Sequence, residues 1–273
     1  ICIFGGGKQI SKVTGVLVPV MGVFYIAVSL FIVITHINLV PGMIADIVKG
    51  AFDFKAIFGG FAGSAIMQGI KRGLFSNEAG VGSAPNAAAS AGVSHPAKQG
   101  LVQMLSVYID TIVICTATAF MLLCSGVEPS KEIAGMSYVQ AAVANSLGGF
   151  GTIFITVALC LFAFTTLIGN FYYAEMGLGY ICNKTPGSTL IHAFRILAAV
   201  IVCFGATMEF SVAWDTADVL MGLMAIINLP VIILLAKPAI LCMDDYIKQK
   251  RAGKNPVFKA ADINLEDDTD FWK

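Results

Sequence analysis

Charge is what this sequence has least of. Only 12% of its 273 residues are Asp, Glu, Lys or Arg, about half the share usual in a soluble globular domain. Its 17 basic and 17 acidic side chains cannot coat the surface of a water-exposed chain of this size, and many of them crowd into 237–273. An ordinary soluble enzyme is excluded. So is a disordered chain, because 57% of the residues are hydrophobic. The charges cancel, so the chain carries no electrostatic footprint for a polyanion, and nucleic acid is not an expected partner.

Histidine is almost as scarce. His36, His95 and His192 form no ligand pattern. The cysteines are Cys2, Cys115, Cys124, Cys160, Cys182, Cys203 and Cys242. No two share a CxxC spacing, and most sit in apolar runs, where Cys acts as a small hydrophobe rather than a staple or ligand. No Ser/His/Asp arrangement and no HExxH occurs. The runs Gly5–Gly7 and Gly59–Gly60 lack the preceding strand and following Lys-Ser/Thr of a phosphate loop. Nothing in the sequence supplies an enzyme's nucleophile, base or metal set.

What is abundant is apolar length. The mean hydropathy is +0.82, and crossing a bilayer takes about 20 mostly apolar residues. The sequence predicts an all-α polytopic membrane protein with six membrane segments, one of them discontinuous. Val13 to Ile34 is the first span, uncharged and able to kink at Pro19. Thr35 to Lys55 is a connection whose amphipathic part, Pro41 to Phe54, is expected to lie along the interface. Gln99 to Cys124 is a span carrying Asp110. Ser125 to Phe150 is a long connection with a helical piece near Tyr138 to Ser146. Gly151 to Tyr173, Leu190 to Thr207 and Ala213 to Ala236 complete the spans, and 237–273 reads as a charged, partly disordered tail.

Between the first two full spans lies the discontinuous segment. Ala56 to Ile70 is short for a span, and Lys71 to Pro85 follows with a high density of Gly and Pro. Each interior Gly costs a helix roughly 1 kcal/mol relative to Ala, so a half-helix, a break and a second half-helix are expected. Irregular backbone at membrane depth survives only where protein, water or ligand satisfies it. Such a break can receive a carboxylate and a cation or ammonium; the other reading is a polar loop between spans.

Other polar residues in apolar runs carry similar alternatives. Thr165 and Thr166 offer hard oxygens for a small cation, or return their hydroxyls to the preceding turn. Asp110 is mid-span, where a carboxylate is costly; it is a functional candidate, or the partner of Arg72 or Lys71. Glu175, Asp215 and Asp218 lie near span ends and suit an interface. Trp214, where a span begins, is a belt anchor or the wall of a small pocket.

Lys and Arg divide unevenly between the two sides. One side collects Lys8, Lys12, Lys98, Lys184, Arg195 and the tail's basic residues; the other holds Lys49, Lys55 and Lys131. The excess places both ends of the chain in the cytoplasm of a plasma-membrane protein. The sequence opens Ile-Cys-Ile-Phe without Met, which is read as the start of a fragment.

The run Arg72-Gly73-Leu74-Phe75-Ser76-Asn77-Glu78-Ala79-Gly80-Val81-Gly82-Ser83-Ala84-Pro85 resembles the signature of the alanine or glycine:cation symporter family, the sodium/alanine symporters. The resemblance continues through His95-Pro96-Ala97-Lys98-Gln99-Gly100, Asp110-Thr111, Phe164-Thr165-Thr166, Gly169 to Glu175, Trp214 to Asp218 and Asn255-Pro256-Val257-Phe258-Lys259. It covers essentially the whole chain.

The resemblance implies the C-terminal half of a LeuT-like inverted-repeat transporter. On that template 1–35 is the last helix of repeat one and 36–55 an extracellular connection with an interfacial helix. Residues 56–236 form the second five-helix repeat, and 237–273 a cytoplasmic tail. An N-terminal half of the transporter would be a missing partner. The implied function is Na⁺-coupled symport of alanine or glycine by alternating access. H⁺ coupling within the same fold, or a truncated product that does not transport, is the alternative. Phe75, Ser76, Asn77, Gly80 and Trp214 become substrate contacts, Thr165 and Thr166 sodium ligands, and Arg72, Glu78 and Asp110 structural or coupling residues.

Overall fold

The computed structural model describes residues 6–52, 65–128, 130, 133, 135–182, 187–264 and 272, with backbone alone for 6–11, 65 and 188. All its regular elements are helices. They are α1 (Gly6–Thr35), a 3₁₀ turn (Ile37–Leu39), α2 (Val40–Ala51), α3 (Ala65–Ser76), α4 (Ser83–Ala89) and α5 (Pro96–Tyr108). A π-helical stretch (Ile109–Cys115) leads into α6 (Thr116–Leu123), followed by α7 (Met136–Ile181), α8 (Ser188–Thr207), α9 (Phe210–Arg251) and a 3₁₀ turn (Ala260–Ile263).

Among the described residues, five helical segments are long and apolar enough to cross a membrane: Lys12–Thr35, Pro96–Leu123, Met136–Ile181, Thr189–Thr207 and Phe210–Arg251. These coincide with the five uninterrupted spans expected from hydropathy. The first half of the discontinuous span, 56–64, lies outside the described residues, as do the loop cations Lys55, Lys131 and Lys184.

Two boundaries differ from the sequence expectation, and one, at Gly148, agrees with it. The helix before the break persists through Lys71, Arg72 and Gly73 to Ser76, so the irregular backbone is confined to 77–82. Within α7, Gly148 leaves helical dihedrals (φ 63°, ψ −148°), which separates the piece beginning at Met136 from the span. The last helix does not stop at Ala236. It runs on through Pro238 to Arg251, with Lys248, Lys250 and Arg251 in its final turn, where cations complement the helix dipole. Its 42 residues rise about 63 Å, roughly twice the hydrocarbon thickness, so the charged end projects well beyond any span.

The chain divides into two compact units of interleaved segments: 1–70 with 109–201, and 71–108 with 202–273. In the first, α1 packs on α6 and α7 around Tyr25, Ile32, Met121, Val143, Phe154, Ile155 and Ala158. Lipid tails are as apolar as these side chains, so close packing and interhelical polar contacts hold such helices together rather than release of water. Tyr25 Oη lies 2.8 Å from Thr118 Oγ1, and the buried Ser29 hydroxyl donates to Met121 Sδ at 3.6 Å. At one end, Asn145 donates to the Ser125 carbonyl and Tyr138 to that of Val127. Those bonds tie the first piece of α7 to the turn after α6.

The second unit is held differently. Its ties are ion pairs, amides and ring stacks between α9 and the segment running from the end of α3 to α5. Part of the tail docks there: Pro256 and Ala260 are fully buried and Phe258 nearly so, while 265–271, within the stretch expected to be partly disordered, lies outside the described residues.

Candidate functional site

The break begins where α3 ends. Glu78 N–H donates to the Phe75 carbonyl and Ala79 N–H to that of Leu74. With Glu78 at φ +49°, this is the paired-bond helix terminus whose left-handed position is usually glycine. A non-glycine residue there costs roughly 1–2 kcal/mol. Such strain clusters at functional sites. The backbone then turns through Gly80 (φ +84°) and Gly82 (φ +99°) before α4 starts. The seven residues of α4 are too few for its N-terminus to be treated as an anion site; the break itself, with its side chains and carbonyls, is what the chain offers.

Helix α9 braces the break from beside it. Asn228 Nδ2 donates to the Gly80 carbonyl at 3.0 Å. A Cβ on Gly80 would stand 2.8 Å from Leu229 Cδ2, and one on Gly82 2.8 Å from Asn228 Cγ. Both glycines are therefore demanded twice, by a positive φ and by the closeness of α9. Asn86 adds a longer bond to the Gly82 carbonyl, 3.3 Å.

One turn before the break, Arg72 meets Asp218. Nη1 donates to Oδ1 at 3.0 Å and Nη2 to Oδ2 at 2.9 Å, the fork geometry that gives charge-assisted pairs both strength and direction. The guanidinium also lies 4.8 Å from the centre of the Trp214 ring. Trp214 in turn stacks on Phe75 (5.5 Å, 30°) and Phe210 (5.8 Å, 16°). Helical spacing explains the assembly. Arg72 and Phe75 are three apart on α3; Phe210, Trp214 and Asp218 are four apart on α9, so each set shares a face. Cation, carboxylate and aromatic wall thus converge beside Ser76 and Asn77.

This pairing takes the place of one alternative considered for Asp110, that it neutralises Arg72. Asp110 sits in the π-helical stretch of the other unit. Asp218 had been assigned to an interface because it lies near a span end. Asn228 was missed altogether. The signal was present: it is the single amide or charged side chain between Asp218 and Lys237, and such a residue in lipid requires a partner.

The hydroxyl pair expected to bind a cation lies in the first unit. Thr165 Oγ1 donates to the Phe162 carbonyl at 3.0 Å, and Thr166 is on an exposed face of α7. The donated bond leaves the Thr165 oxygen lone pairs able to face a cation. Farther along the same helix, Glu175 accepts from Arg195 at 3.4 Å with both side chains largely buried, an ion pair that accounts for two charges close to apolar runs. Among the described residues there is no group of three or more His, Cys, Asp or Glu arranged to hold a metal ion.

The chain matches the family described as "Sodium:alanine symporter family" over residues 1–260. It is 47% identical over 271 residues to an amino-acid carrier protein of Bacillus subtilis, covering 99% of this chain and 57% of that protein. It is 44% identical over 270 residues to a probable sodium/glutamine symporter of the same organism, covering 99% and 56%. To a sodium/proton-dependent alanine carrier protein of Bacillus sp. (strain PS3) it is 40% identical over 285 residues, covering 99% and 64%. The chain thus spans little more than half the length of these first relatives.

Proposed function

The chain belongs to the sodium:alanine symporter family, and from that membership and the braced break we propose that it forms part of a multi-pass, cation-coupled symporter for a small neutral amino acid, not an enzyme. The observation that carries this reading is the 77–82 interruption. It has irregular backbone next to an aromatic wall, with its glycines pressed against Asn228 and Leu229. On this reading the amino acid binds along Ser76, Asn77 and Gly80. Phe75 and Trp214 limit the side chain to a methyl group or a hydrogen. Alanine or glycine is the substrate, and a LeuT-like inverted repeat is the architecture.

Arg72 and Asp218 have a fixed role in this scheme. Each charge is already satisfied by the other, so neither is offered to the zwitterion; together they set the position of Phe75 and Trp214. Glu78 holds the strained corner. Thr165 and Thr166 supply hydroxyl oxygens to Na⁺. Coupling is mutual: whatever free energy the cation adds to amino-acid binding, the amino acid adds to cation binding. The membrane potential then contributes about 2.3 kcal/mol per charge for each 100 mV.

The names of the relatives support coupling to either sodium or protons, and Na⁺ is the ion proposed here. The uneven division of basic residues supports a cytoplasmic position for 237–273. The test is a graft. This chain replaces the matched 57% of the Bacillus subtilis carrier, and uptake of labelled alanine is measured in proteoliposomes under separate Na⁺ and H⁺ gradients. Accumulation driven by Na⁺ is expected; uptake indifferent to both gradients contradicts the proposal.

A further inference from the structure

Two motifs singled out in the sequence, His95 to Gly100 and Asn255 to Lys259, have no place in the substrate site. In the structure they meet. His95 is fully buried. Its Nε2 lies 3.2 Å from Asp245 Oδ2, and its Nδ1 accepts the Ala97 N–H at 3.1 Å. The ring is held edge-on between Tyr246 and Phe258, each 5.2 Å away. With Nδ1 accepting, the proton sits on Nε2 and points at the carboxylate.

The tail closes over this histidine. Phe258 N–H donates to the Ser94 carbonyl at 2.9 Å, and Ser94 Oγ donates to the Pro256 carbonyl at 3.0 Å. Lys98 Nζ reaches Ser94 Oγ and Asn255 Oδ1. Gln249 bonds both the N–H and the carbonyl of Val257 and also donates to Asp245. These links run within and between three pieces: the loop after α4 with the first turn of α5, the end of α9, and the segment Asn255–Ala260.

We propose that Asn255–Ala260 is a conformational latch: it fastens the loop that follows the broken helix to the far end of α9, and its release accompanies opening of the transport path on that side. The proposal rests on the transporter reading above. Its physical basis is reach. Asn228 and Asp245 lie 17 residues apart on α9, about 25 Å along the axis. The helix that braces the break at Gly80 is therefore also fastened to the continuation of the same broken segment at His95. Movement of the break relative to α9 must strain or open the second attachment. The latch is built to open as a unit, because it is one short segment held by a few hydrogen bonds and three apolar positions, Pro256, Phe258 and Ala260, rather than by a broad apolar interface.

Cys242 is a native reporter. Partly buried, its Sγ lies 4.0 Å from His95 Nδ1. With the other cysteines replaced by serine or alanine, maleimide labelling of Cys242 is followed in liposomes, on the full chain and on the grafted carrier. Phe258→Ala should speed labelling about tenfold, as expected for loss of a local opening barrier. Asn255→Ala, which removes only the Lys98 contact, should speed it less and guards against a folding failure. In the grafted carrier, alanine with Na⁺ should slow labelling at least about threefold, and Phe258→Ala should abolish that response. Alanine binding measured directly in the same sample, with Cys242 labelling unchanged or faster on adding alanine, overturns the latch and leaves the transporter reading intact. Absence of alanine binding overturns the transporter reading itself.

Discussion

Two helix interruptions in this chain have opposite surroundings. At Gly148 the chain turns at an exposed position between two pieces of α7, whose arms meet beyond the corner, where Gly151 lies against the Val143 backbone. At 77–82 the chain turns between α3 and α4 under a carboxamide, with an arginine–aspartate pair and a tryptophan one turn away. The first is an open corner with nothing pressed against it, set between two arms that both feed the apolar cluster. The second draws on side chains that are expensive in lipid and holds a residue, Glu78, in a conformation that glycine would adopt more easily. A break that gathers costly groups and stores strain is what the proposed substrate site asks for.

That contrast can be broken on either side. The largest effect is expected in the apolar cluster: Ile155→Ala removes a fully buried side chain and should lower stability by about 2–5 kcal/mol. It should shift thermal melting in detergent while leaving the alanine KM of the grafted carrier unchanged. Gly82→Ala should do the reverse. The new methyl meets Asn228 and an unfavourable φ, costing about 1–3 kcal/mol for the backbone and contact together. Alanine affinity should fall by about tenfold or more, with melting less affected than in Ile155→Ala. Asp218→Asn should be milder, because the pair is partly exposed, with side-chain exposures of 36% for Arg72 and 22% for Asp218. The expected loss is about 1 kcal/mol, read as a severalfold rise in KM. Equal losses of stability and affinity across the three variants would erase the distinction between the corners.

Much of the helical plan was legible because span length and charge exclusion are strong physical signals. Val13 to Ile34 and Leu190 to Thr207 could hardly be anything else. The broken span was legible from glycine and proline density, but the extent of the break was not. Arg72 and Phe75 remain helical because Asp218 and Trp214, more than 130 residues away, hold their face of α3, and no local propensity encodes that. The partner of Asp218 was not legible for the same reason: position near a span end says nothing about which neighbour a carboxylate will find.

How part of the tail docks was not legible in its composition. Charge density reads as disorder, yet alternating lysines suit the last turns of a helix, and three apolar positions, Pro256, Phe258 and Ala260, were enough to dock it. Thr165 kept both of its alternatives. Its hydroxyl does return to the preceding turn, and a cation is compatible with that bond.

The central claim is that the amino acid lies against the 77–82 break. Asn77→Cys in a cysteine-free grafted carrier addresses it directly, by the rate of thiol labelling at that position. With Na⁺ present, alanine should protect the thiol with a concentration dependence matching its KM for uptake. Labelling that proceeds at the same rate with saturating alanine, in a protein that still transports it, would contradict the account.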